Sequence, residues 1–256
     1  MLILLPPSEG KADPPDGSPP LDLRELVFAE QLTKPRSVLL EALAGLPALD
    51  RDEAVGMLGI SPGQADEVDR DGALLDAPAG PASEVYTGVL YDRLDIPGLP
   101  AKARERASES LLIMSGLWGA IRPQDRIPNY RFPAKARLPE AGPLGRFWKE
   151  PLSLAMDEAG LDQPDEVVLD MRSGAYVSFW KPRNARLVPV RAFTEVDGKR
   201  KSVSHMAKAT RGEVARSVLT AGRMPDGAGE VADLLTAEGM RVELSEDGLD
   251  VIIQER

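Results

Sequence analysis

No cysteine occurs in the 256 residues, and there is one histidine, His205. The first absence removes disulfides, thiolate nucleophiles, iron–sulfur clusters and cysteine zinc sites together. The second excludes a multi-histidine metal centre within one chain and leaves only carboxylate sites for a hard cation. Neither a metal nor a cofactor is expected. Long apolar runs are missing too: residues 1–5 and 111–114 fall far short of the roughly 20 that a spanning helix needs. The N-terminus lacks the basic region and apolar segment of a signal peptide. The expectation is a cytoplasmic monomer with no membrane contact.

What is present describes an ordinary globular chain, with 43% hydrophobic and 28% charged residues. The length suits one large α/β domain. The net charge of −10 is unevenly spread. Segment 122–149 carries seven basic against two acidic residues, and segment 172–216 eleven against three; segment 150–171 has seven acids and no base. Two basic segments in an acidic frame make a local positive cleft feasible on an anionic molecule, although charge runs are more often solvated surface.

The most informative stretch is 111–131, LLIMSGLWGAIRPQDRIPNYR. Its apolar start predicts a central strand covered on both faces. Ser115 and Gly116 end it, and Gly116 and Gly119 bracket Trp118, where a side chain would obstruct backbone geometry or close approach. Arg122, Asp125, Arg126, Tyr130 and Arg131 follow, stiffened by Pro123 and Pro128. A rigid loop of this kind at a strand end predicts a binding site. The strand at 166–170 repeats the pattern, running through Asp170 into Arg172, Ser173 and Tyr176. Residues 1–5 form a third strand and enter a loop with Ser8 and Lys11, a weak likeness to a phosphate loop without its spacing.

Between these lie further candidates. Residues 36–70 read as helical, with Val38, Leu39, Ala42 and Leu43 on one face. Within them a hinge from Gly59 to Gly63 fits either a helix-hairpin-helix, whose amides would hold a DNA phosphate, or a plain structural turn. In VYTGVLY, Tyr86 and Tyr91 are packing candidates, and Thr87-Gly88 is a point of close approach. Helices are expected over 97–108 and 143–159, the second with Trp148 in the core. Asp197-Gly198 predicts a hairpin between strands at 187–193 and 199–204. A helix opening near Ser204 carries Lys208 and Arg211 about one turn apart, able to face one anion. A helix over 226–238 and strands over 240–244 and 249–253 complete the chain. The fold class is α/β, a single mixed-sheet domain over 1–256 with a helical subregion near 34–72.

Taken together, MLILLPPSEGK, VYTGVLYDRL, MSGLWGAIRPQDRIPNYR, FWKEPL, VVLDMRSGAYVSFWKP and SHMAKATRGEVAR resemble the YaaA family in order and spacing. The resemblance implies a bacterial cytosolic protein of the hydrogen peroxide response that limits damage linked to intracellular iron. It also implies an α/β fold of unusual topology, with a helix-hairpin-helix-like element beside a basic cleft that binds double-stranded DNA. The matching positions are Ser8, Lys11, Tyr86, Thr87, Gly88, Ser115, Gly116, Trp118, Gly119, Arg122, Pro123, Asp125, Tyr130, Arg131, Ser173, Tyr176, Lys181, Lys208, Arg211 and Gly212.

Three functional readings stay open. The first is duplex binding, with phosphates neutralised by Lys11, Arg122, Arg126, Arg131, Arg172, Lys181, Lys208 and Arg211 and with amides supplied at Gly59 and Gly63. The second is an enzyme acting on a nucleotide, a nucleobase or another small anion. Its pocket would be lined by Ser8, Tyr86, Thr87, Gly88, Ser115, Gly116, Trp118, Gly119, Tyr130, Ser173 and Tyr176, with Lys11, Asp170, His205 and Lys208 as catalytic candidates. The third is a scaffold in which a buried Arg122–Asp125 pair merely holds loops together.

Overall fold

Leu2 to Leu5 are all buried, and so are the five residues of Leu111–Ser115 and the four of Val167–Asp170. Such fully apolar segments are stable only as strands covered on both faces. The computed structural model, which describes residues 1–196, 199–201 and 204–253, places them side by side. In chain order its strands are β1 (Leu2–Leu5), β2 (Gly80–Pro81), β3 (Leu111–Ser115), β4 (Gly119–Ile121), β5 (Arg126–Ile127), β6 (Arg137–Leu138), β7 (Gly142–Pro143), β8 (Val167–Asp170), β9 (Arg186–Val196), β10 (Lys199–Lys201), β11 (Arg241–Ser245) and β12 (Gly248–Ile253). The main sheet runs β11-β12-β9-β8-β1-β3-β4, with β10 paired to β9; β2-β5 and β6-β7 are two-stranded ribbons.

The five central strands, β12, β9, β8, β1 and β3, are parallel to their neighbours, and the flanking pairs are antiparallel. Leu5 is in register with Ile113 and Leu4 with Asp170, so three strands end at the same edge and release their loops there. One hydrophobic cluster extends from Leu2 to Val251, as expected of a single mixed α/β domain. Among the described residues no helix is long and apolar enough to cross a membrane.

The helix Leu144–Glu158 forms where Trp148, Leu152, Ala155 and Met156 recur at helical spacing, and all four are buried. It packs against helix Ala29–Gly45. Trp148 accounts for Gly119, while Gly116 is required by the Phe132 carbonyl oxygen, which a Cβ there would approach to 2.9 Å. The Trp148 Nε1 donates to the Gly116 carbonyl at 2.7 Å, and a Cβ on Gly119 (φ +73°) would lie 2.8 Å from the Trp148 ring. The expected helical subregion comprises helices Ala29–Gly45, Arg51–Leu58 and Glu67–Gly72 with short 3-10 turns between. The expected strands at 240–244 and 249–253 and the helix near 226–238 are present as β11, β12 and Ala228–Ala237. Strands β9 and β10 pair antiparallel, while the Asp197-Gly198 turn lies outside the described residues.

Arg36 is fully buried on the apolar face of helix Ala29–Gly45, in line with Leu32, Leu39, Leu40 and Leu43. Its Nε donates to the Trp118 carbonyl at 3.0 Å, and its Nη2 donates at 2.9 Å to those of Val27 and Ala120. Burial lowers its pKa to about 10, opposed by Asp125. Asp125 in turn accepts the amides of Val27 and Arg122 at 3.0 Å. The expected Arg122–Asp125 link therefore runs through the Arg122 backbone rather than its guanidinium. One arginine and one aspartate thus tie the segments at 27 and 118–125 together. Arg36→Met leaves three carbonyls without that donor, two of them in the buried β4 turn. Each buried unpaired group costs ~1–3 kcal/mol, so urea unfolding should show a loss of about 3 kcal/mol or more.

Candidate functional site

At the shared strand edge, β1 runs directly into Pro6 and Pro7, and the loop is then fastened to the tyrosine segment. Ala12 N donates to the Val85 carbonyl at 2.8 Å and Thr87 N to that of Gly10 at 3.1 Å, with a bridge between Lys11 and Tyr86. The Tyr91 hydroxyl donates to the Pro6 carbonyl at 2.8 Å. These contacts leave room for a cavity of about 590 Å³, bounded by Pro6 to Gly10, Gly88 to Tyr91, Ser173, Tyr176, Lys208 and Arg211. A second recess, of about 20 Å³, shares Pro7, Ser8, Glu9 and Tyr176 with it and adds Lys11, Tyr130 and Arg131.

The cations of the large cavity come from one helix, Ser204–Thr220. Lys208 is exposed and Arg211 half-buried. The Arg211 Nε is shielded from solvent and has no partner among the described residues. Burial lowers the pKa of Arg211, with Asp170 opposing. The rest of the guanidinium borders the cavity, where a ligand oxygen can meet donors that the fold leaves uncommitted. That helix lies against helix Val89–Leu94 so closely that a Cβ on Gly212 would collide with the Leu90 carbonyl oxygen and approach Arg93 Cβ to 2.9 Å.

Lys11 faces the small recess. Its Nζ donates to the Ser8 carbonyl at 2.8 Å and lies 4.2 Å from the centre of the Tyr130 ring and 5.5 Å from that of Tyr86. An aromatic face favours the ammonium form. Desolvation, aided by the charge of Arg131, outweighs it and brings the pKa down to about 7, against a smaller upward pull from Asp71. Asp71 is itself pushed up to about 7, chiefly by burial, although its Oδ1 accepts Arg131 N at 2.9 Å. Its Oδ2 is buried without a partner. The Arg131 guanidinium turns to Glu9, at 2.9 Å from Oε2 and 3.1 Å from the carbonyl.

Beneath Lys11 a chain of hydroxyls has a defined direction. Ser115 Oγ accepts the amides of Leu117 and Trp118 at 3.2 Å, filling its lone pairs. Its proton is therefore given to Tyr130, 2.7 Å away, and Tyr130 gives its own to Tyr86, also at 2.7 Å. Burial raises the pKa of both tyrosines well above the ordinary value, so both are neutral.

The expected site residues divide accordingly. Ser8, Gly88, Ser173, Tyr176, Lys208 and Arg211 bound the large cavity, and Lys11, Tyr130 and Arg131 the small one. Ser115, Gly116, Trp118, Gly119 and Tyr86 were expected to line the pocket but lie outside both linings. Ser115, Trp118 and Tyr86 are buried in the core, Gly119 packs on Trp148, and Gly116 packs against Phe132 and Leu144. Thr87 fastens the loop through its amide. Arg122 and Arg126 donate to the carbonyls of Ser108 and Ala79, away from the cavity.

Arg172 is buried, bidentate on Asp170 at 2.8 Å, and donates to the Trp180 carbonyl at 2.7 Å. That pairing occupies both residues structurally. Lys181 is exposed outside both linings, and the His205 side chain lies outside the described residues. The Gly59–Gly63 hinge has most of its amides engaged. Gly59 and Ile60 donate to Gly56 and Val55, Ser61 to the Gln64 side chain, and Gln64 and Ala65 to Ser61 and Pro62. Donors left free for a DNA phosphate are therefore scarce there. Asp71, Glu9 and Arg36 were missed. Asp71 and Arg36 announce themselves only by sharing a helix face with buried residues, Val68 and Leu39 respectively.

The fold is a mixed α/β domain in which the loops after β1 and β8 and two helices border a cation-bearing cavity. More particularly, a family model described as peroxide stress protein YaaA matches residues 1–234, and the chain belongs to that family. A UPF0246 protein of Streptomyces coelicolor is 43% identical over 265 residues, covering 100% of this chain and 99% of the relative. One from Corynebacterium glutamicum is 40% identical over 244 residues, with 95% of each covered. One from Phenylobacterium zucineum is 31% identical over 229 residues, covering 84% of this chain and 81% of the relative.

Two outcomes test this geometry. In an open helix Gly→Ala stabilises by about 1 kcal/mol. Gly212→Ala should instead lower the melting temperature, because the new methyl must push the two helices apart. For Asp71, a folded pKa raised above the unfolded value contributes stability present in full below about pH 4 and lost as pH rises through about 7. Asp71→Asn removes that dependence. Its stability relative to wild type should therefore climb between pH 4 and 7, whatever fixed offset the amide brings; parallel curves would refute the assignment.

Proposed function

We propose that the protein binds a small organic anion of nucleotide size in the 590 Å³ cavity, its acidic group held by Lys208 and Arg211. One observation carries the reading: Arg211 borders the cavity with no hydrogen bond or ion pair from its guanidinium among the described residues. The volume lies within the ~300–1,000 Å³ usual for ligand sites. Apolar side chains line much of the wall, with Ser8, Ser173, the two cations and Glu9, whose carboxylate is paired with Arg131, as the polar groups. Since the chain has no thiol, a part in peroxide stress runs through the ligand rather than through cysteine oxidation.

Duplex DNA is the competing ligand, suggested by the family resemblance and the two basic segments. Against it, Arg122, Arg126 and Arg172 already donate within the fold, and Arg131 is paired with Glu9. The smooth row of free cations that a duplex requires is correspondingly thinner.

Thermal unfolding with inorganic phosphate, AMP and a short duplex separates the readings. AMP should raise the melting temperature, and Arg211→Ala should weaken that binding by about 10- to 100-fold, the value of a charge-assisted hydrogen bond of ~1.5–3 kcal/mol. Strong, salt-sensitive duplex binding with no response to either small anion would overturn the proposal in favour of DNA.

A further inference from the structure

We propose that the site is a carbonyl-reactive one: the Lys11 amine attacks an aldehyde or ketone of an anionic substrate whose acidic group is anchored by Lys208 and Arg211. This rests on the anion-binding reading of the same cavity and adds to it the reacting group and the substrate class.

Three observations converge. The first is placement. Lys11 lines a recess of about 20 Å³ that shares four residues with the large cavity. A volume near that of one water admits a carbonyl group but no second acidic group. The reaction requires that a substrate with its anion at Lys208 and Arg211 reach Nζ past the shared residues Pro7, Ser8, Glu9 and Tyr176, so its reacting end must be compact. The second is the state of the amine. It is held by a backbone carbonyl and an aromatic face, and burial with Arg131 nearby brings its pKa to about 7. A large neutral fraction near neutral pH is what amine nucleophiles require. The third is the lack of a close counter-ion: among the described residues no carboxylate makes an ion pair with Nζ, and only longer-range charge from Asp71, Glu67 and Glu9 favours the ammonium form.

The step balances without a further reactant. The nitrogen lone pair forms a bond to the carbonyl carbon, and a proton passes from that nitrogen to the oxygen to give the neutral carbinolamine. Loss of the hydroxyl as water, after it takes a proton from solvent, and return of the remaining nitrogen proton to solvent give the imine. Hydrolysis reverses the sequence. The hydroxyl chain from Ser115 through Tyr130 to Tyr86 holds the ring under Nζ in place and takes no proton in this step.

The test uses the whole protein and pyridoxal 5′-phosphate, chosen as a phosphorylated aldehyde, followed by borohydride reduction and peptide mass mapping. With one equivalent at pH 7.5, label should concentrate on Lys11 over the eight other lysines by about tenfold or more, because ordinary lysines are almost wholly protonated there. Excess inorganic phosphate should suppress it, and the rate should rise through about pH 7 rather than above pH 9. Lys11→Arg should reduce labelling to the surface level while keeping a cooperative thermal unfolding transition. Label spread evenly or centred on Lys208, with the AMP shift intact, would overturn the amine chemistry and leave the anion site standing. Absence of both the AMP shift and phosphate protection would overturn the anion site and this inference with it.

Discussion

The parallel pairing of β1 between β3 and β8 is the constraint on which everything else depends. Four apolar residues, Leu2 to Leu5, must be buried on both faces and hydrogen-bonded on both edges, and only a central position satisfies both demands. Once β1 is central and its neighbours are parallel to it, three loops leave the sheet on one side. The loop after Leu5, the turn after Ser115 and the segment after Asp170 therefore meet without any specific attraction among their functional residues. The cavity is a topological consequence of where apolar sequence had to go, in the manner of open α/β sheets generally.

Charge is then sorted by what each group finds when the chain closes. Arg36, Arg122, Arg126 and Arg172 reach backbone carbonyls or a carboxylate and become braces. Lys11 and Asp71 are buried beside the same guanidinium-bearing loop without closing an ion pair among the described residues, and each moves towards its neutral form. Lys208 and Arg211 alone of the expected cations face open volume in the large cavity. A tally of basic residues by segment thus overstates the positive surface at this site, because Arg122, Arg126 and Arg131 are engaged within the fold while Lys135, Arg137, Arg146 and Lys149 are exposed outside both linings.

Much of the fold was legible because its signals are local. The apolar runs at 1–5, 111–115 and 167–170, the periodicity of 144–158 and the two closing strands needed only burial and spacing to be recognised. The site was legible in outline, since Ser8, Lys11, Gly88, Ser173, Tyr176, Lys208 and Arg211 were all singled out. The depth of each residue was hidden. Trp118 and Ser115 stand in the same motif as Arg131, yet one turn of backbone puts the first two in the core. Asp71 sits in an acid-rich run that reads as solvated surface. Its burial depends on Arg131, 60 residues later in the chain, donating an amide to it. Long-range pairings of this kind leave no periodic trace.

Helix Ser204–Thr220 touches helix Val89–Leu94 at Gly212 with no side chain between them, backbone against backbone. Contact that close leaves nothing compressible in the joint. Lys208 and Arg211, within about one turn of it, are therefore set at a spacing fixed during folding rather than adjusted on arrival of a guest. The ordering entropy of that part of the site has been spent before any ligand appears, so affinity is gained from a small number of contacts, and ligands are discriminated more by length than by total charge.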